Sequence, residues 1–172
     1  GMFAQNTTQN FSTYANDILD AVVRSLKFPS NVPKTEKDDM KFSKDNSISA
    51  LGKIIKNHGK EIDLNKWINV WLEGMPIEKD SEEGKIMNKF LIEILVQSPQ
   101  LVMGEGNKNI GHIVMILAKG YNTDFSEEET DKKIVEFCKG VKANAELMNI
   151  LKGSIDKMKS KIQNKVKELF KD

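Results

Sequence analysis

Residues 63–97 read DLNKWINVWLEGMPIEKDSEEGKIMNKFLIEILVQ, and this stretch decides the fold. Leu64, Trp67, Ile68, Trp71, Leu72 and Met75 recur three or four residues apart, which is the spacing of one buried stripe on an amphipathic helix. Gly74 and Pro76 end that helix. Asp80-Ser81-Glu82-Glu83 then offers an oxygen-bearing cap and carboxylates for a first helical turn. Met87, Phe90, Leu91, Ile94 and Leu95 resume the same spacing until Ser98-Pro99. One helical hairpin cannot bury its own apolar face, but stacked hairpins can.

The same unit recurs on either side. Segments starting near Asn10, Asp63, Asn107 and Asn144 read as first helices, and those near Lys44, Ser81, Ser126 and Ser154 as second helices. The predicted hairpins cover residues 10–58, 63–97, 107–142 and 144–171, a period of about 40 residues. Ser126-Glu127-Glu128-Glu129 reads as a capping box. Residues 30–43 are mostly polar and charged and follow Pro29, so they read as a long exposed loop. No segment reads as a strand. The expectation is a single all-α domain over residues 1–172, with Trp67, Trp71, Phe90, Leu91, Ile113, Phe137, Cys138 and Ile162 buried.

Composition narrows the function classes. The formal net charge of the 172 residues is +1, so no global field steers the chain to nucleic acid. The longest apolar run, near Phe90 to Val96, is interrupted by Glu93 and is too short to span a bilayer, so no membrane insertion is expected. The polar N-terminus, with Asn6, Thr7, Thr8 and Gln9, does not read as a signal peptide. Cys138 is the single cysteine; it excludes an internal disulfide and sits on an apolar stripe, as a packed core residue does. His58 and His112 lack partners at metal-ligand spacing, so no metal is expected. The glycines of Gly104-Glu105-Gly106-Asn107 read as a structural turn, since no phosphate-loop pattern accompanies them. No catalytic residue, cofactor or enzymatic activity is expected.

Charge is unevenly placed. Asp80, Glu82 and Glu83 crowd one helix start and Glu127, Glu128, Glu129 and Asp131 another. Such acids complement helix dipoles and also offer an acidic rim to basic peptides. The last helix is basic, with Lys157, Lys159, Lys161, Lys165, Lys167 and Lys171 around an apolar stripe, as in a terminal capping helix.

Three stretches in order resemble the C-terminal HEAT repeats of importin-beta-type nuclear import receptors, in the beta-3 (importin-5-like, karyopherin-beta-3) branch. They are residues 45–54, from Asp45-Asn46-Ser47 to Ile54; residues 67–83, with Trp71-Leu72 before Met75-Pro76-Ile77; and Ser98-Pro99-Gln100-Leu101-Val102-Met103-Gly104, followed by Asn107, Asn109 and Ile110. The resemblance implies an all-α HEAT-repeat solenoid of about four hairpins in a right-handed superhelix. It implies a receptor that carries protein cargo with basic import signals, passes nucleoporins and releases cargo to Ran-GTP. Cytoplasm and nucleus, including the nuclear pore, are then its places of action. It also implies that the repeats chiefly contacting Ran-GTP lie outside this chain. The candidate partner-binding residues are Asp45, Asn46, Asp80, Glu82, Glu83, Glu127, Glu128 and Glu129. The alternative is a HEAT or armadillo-type protein scaffold unrelated to transport.

Overall fold

The computed structural model describes residues 12–26 and 33–171. Among them there are α-helices and short 3-10 turns and no strand. The helices, numbered here in chain order, are α1 (Ser12–Ser25), α2 (Lys37–His58), α3 (Leu64–Gly74), α4 (Ser81–Gln97), α5 (Gln100–Met103), α6 (Ile110–Gly120), α7 (Glu128–Ala143), α8 (Ala145–Ile155) and α9 (Ser160–Leu169). This all-helical packing is consistent with a HEAT-like helical solenoid. The chain divides into two compact units, residues 1–87 and 88–172, and the division falls within α4.

In the first unit α2 packs against both α1 and α3. Asp63 starts α3 by accepting the Lys66 amide proton at 3.1 Å. Both tryptophans of α3 are buried, Trp71 completely. Ile48, Leu51, Ile54 and Ile55, in the C-terminal half of the α2 helix that packs on α3, are buried as well. Gly52 makes this approach possible: a Cβ there would collide with the Met87 sulfur and stand 2.7 Å from Trp71 Nε1. The helix accepts the lower propensity of glycine because any side chain would push the indole away.

The second unit is built around α6, which packs on α8 and α9 while α7 packs on α8. Ile110, Ile113, Val114, Ile116 and Leu117 of α6 have no exposed surface. Gly111 permits the closest approach, because its missing Cβ would overlap the side chain of Ser154 on α8. Asn144 caps α8 by accepting from the amides of Glu146 and Leu147 at 3.0 and 3.1 Å.

The predicted core is largely realised. Trp67, Trp71, Phe90, Leu91, Ile113 and Cys138 are buried, whereas Phe137 and Ile162 are half-buried. Burial pushes the Cys138 thiol up to about 12. A thiol that stays protonated and inaccessible is unreactive. A thiol-specific reagent should therefore leave the native protein unlabelled and modify one cysteine once the chain is unfolded in denaturant. Rapid labelling of the native protein would contradict this packing.

Three expectations need correction. Residues 37–43, expected within an exposed loop over residues 30–43, form the first turns of α2. They are mostly exposed, and the acids Asp38 and Asp39 in the first turn suit a helix start. Residues 30–32 lie outside the described residues, as does the helix start near Asn10. Ser126 is not the cap of α7: its amide closes a turn onto Thr123 O, and the helix begins at Glu128 with Glu127 as the flanking residue. Residues 100–107, left without structure by the sequence, hold α5 and a 3-10 turn. Gly104 and Gly106 take positive φ there (71° and 61°), consistent with a structural turn.

Candidate protein-interaction sites

The acids at the start of α4 are built into the fold by a carboxylate far away in sequence. Asp45 lies midway along α2 and is 2% exposed. Its Oδ2 accepts from the backbone amides of Glu78, Lys79 and Asp80 at 3.1, 2.6 and 3.1 Å, and its Oδ1 also faces the Glu78 amide at 3.2 Å. Successive amides that point to one spot form a ready anion site, and here the chain supplies its own anion. Asp80 then caps α4 by accepting from the Glu83 amide at 3.1 Å. Asp45 is thus an internal tie between α2 and the loop before α4, not the surface contact expected from the sequence.

Glu83 is also committed internally. Its carboxylate takes a hydrogen bond from Ser49 and pairs with Lys53 at 2.6 Å, both on α2. Burial pushes the Glu83 carboxyl up, but the hydrogen bonds from Lys53 and Ser49 and the lysine charge outweigh it and hold the group below the usual carboxylate range. The folded-state value is therefore lower than the unfolded one. The stabilisation is complete above about pH 4.5 and is lost as the pH falls through the folded value. Glu83→Gln should be less stable than the parent at neutral pH, because Lys53 is left buried without its counter-charge. That gap should narrow between neutral pH and an acid pH below 4.5, as the parent's own Glu83 is protonated. Urea midpoints at both pH values measure it, and a gap independent of pH would contradict the pairing.

The remaining candidates are at the surface. Asn46 and Glu82 are exposed, and Glu82 pairs with Lys85 at 2.6 Å. Lys79 of the preceding loop pairs with Asp38 at 2.8 Å, which ties that loop to the first turn of α2. In the second unit Glu127, Glu128 and Glu129 are exposed, and Glu128 and Glu129 each pair with the lysine one turn on, Lys132 and Lys133, at 2.7 Å. The hydrogen bond from Lys133 and its charge hold the Glu129 carboxyl below the usual range.

A groove of about 400 Å³ runs along α7 beside this acidic start. It is lined by Tyr121 and Val135, the acids Glu128, Asp131 and Glu136, and the lysines Lys132 and Lys139. Sequence reasoning found Glu128 and Asp131 in the acidic helix start but missed Val135 and Glu136 as groove residues. Their spacing along one helical face was the available signal. Such a groove can bind by contact and charge; it brings together no nucleophile with a base. Among the described residues no group of three or more His, Cys, Asp or Glu side chains is placed to hold a metal ion. Among them, too, no helix is long and apolar enough to cross a membrane.

No protein-family model matches the chain. A curated relative does. The chain is 28% identical over 137 residues to a protein named as a probable importin-5 homolog in Dictyostelium discoideum. The match takes in 78% of this chain, which spans 12% of the length of that relative. The similarity, with an all-helical fold, supports a relation to the importin-beta family.

Proposed function

We propose that this chain carries C-terminal HEAT repeats of a nuclear import receptor of the importin-beta family, in its beta-3 branch. The observation that carries this reading is the similarity to the importin-5 homolog over most of the chain, in a protein whose described residues form helices and no strand. The whole receptor carries protein cargo with basic import signals past nucleoporins, between cytoplasm and nucleus, under Ran-GTP control. Its work is binding, not catalysis. Within this chain the internally committed acids, Asp45 and Glu83, hold the repeat together, while the exposed Glu127, Glu128 and Glu129 beside the α7 groove face partners.

Titration of a lysine-rich import signal against the chain tests this. Affinity should be at best micromolar, about −8 kcal/mol, and should fall as salt rises. A variant with Glu127, Glu128 and Glu129 changed to Gln should bind more weakly. Equal binding by both proteins would remove this rim from the account. Tight binding of Ran-GTP by these residues alone would overturn the C-terminal placement.

A further inference from the structure

We infer that the end of the second unit, from Lys157 to Lys167, is a docking surface for an acidic protein segment. Between these positions five of eleven residues are lysine and none is acidic. Lys157, Lys159, Lys161 and Lys167 are exposed, and among the described residues none of them forms an ion pair. By contrast, Lys53, Lys79, Lys85, Lys132 and Lys133 each pair with a carboxylate at 2.6–2.8 Å, whereas Lys41, Lys60 and Lys108 are exposed single lysines spread over the surface.

The lysines stand on a fixed platform. The Gln163 amide donates to the carbonyls of Ile155 and Met158 at 3.1 and 3.0 Å, which locks the turn between α8 and α9. Lys165 donates to the carbonyl of Lys119 at 3.3 Å and joins α9 to α6. Val166 and Leu169 are buried. The helix therefore presents its charge with its apolar stripe largely covered.

That last point selects the partner. A helix that lies in a membrane surface needs a free apolar face, and on α9 Val166 and Leu169 are buried and Ile162 is half-buried. Single-stranded nucleic acid is held by stacking on exposed aromatic rings, and bidentate phosphate contacts favour arginine. Residues 157–167 contain neither an aromatic residue nor an arginine. Flexible lysine point charges suit a run of carboxylates, which needs no fixed geometry.

The test compares three proteins: the parent, the triple variant K157E/K159E/K161E, and a control triple, K41E/K60E/K108E, at exposed lysines elsewhere. Circular dichroism establishes that each is folded. A fluorescent poly-glutamate peptide should bind the parent and the control, and lose about tenfold or more in affinity for the first triple. Binding should weaken with salt. Equal loss in both triples, or no binding to the parent, would overturn the inference. So would tighter binding of single-stranded RNA or of phosphatidylserine vesicles than of the peptide.

Discussion

Trp71→Ala should destabilise the protein by about 3–5 kcal/mol, in the range found when a large buried aromatic is removed from a core. Trp71 has no exposed surface, and the helix facing it has been shaped to its ring at Gly52. A cavity between α2 and α3 cannot close easily, because Gly52 offers no side chain to fill it. Stability of single domains is itself of order 5–15 kcal/mol, so the loss should be visible as a much lower urea midpoint and Tm. A change below about 1 kcal/mol would mean that the indole is not packed as described.

Asp45→Ala should cost about 2–4 kcal/mol, because it leaves the amides of Glu78, Lys79 and Asp80 without their acceptor. Hydrogen bonds to a charged acceptor are worth more than neutral ones, and three amides share this one. Asp45→Asn is the informative companion. It keeps the shape and one carbonyl oxygen but turns an amide donor towards other donors. It should therefore recover part of the loss only. Chemical denaturation of both variants against the parent measures the effect, and hydrogen exchange should be faster at residues 78–80. Parent-like stability in both would show that Asp45 is not the anchor of this loop.

The fold was legible because apolar spacing reports directly on helices with one buried face. Residues 63–97 illustrate it: of the stripes read in α3 and α4 every residue but Leu64 is buried, and Ile92 is buried beside them. The same signal reports burial rather than helicity, which is why α2 was read as starting seven residues late. Its first turns are exposed and charged, and a helix without a core face leaves no apolar trace. The site was less legible. Asp45 sits in a polar run, so its sequence context suggests surface, while its role is set by amides 33–35 residues away. Glu83 looked like an ordinary first-turn acid because Ser49 and Lys53, its partners, lie one helical turn apart on a different helix. Ser126 fitted a capping box by spacing, but the Thr123 turn moved the helix start beyond it.

The central claim is that the protein containing this chain is an import receptor. Nuclear import reconstituted in permeabilised cells tests it most directly, with the natural protein, Ran, an energy supply and a fluorescent cargo bearing a basic signal. The account predicts cargo accumulation in nuclei that depends on the protein, and dissociation of the protein–cargo complex by Ran-GTP but not Ran-GDP. Absence of accumulation, together with indifference of the protein to the nucleotide state of Ran, would contradict it.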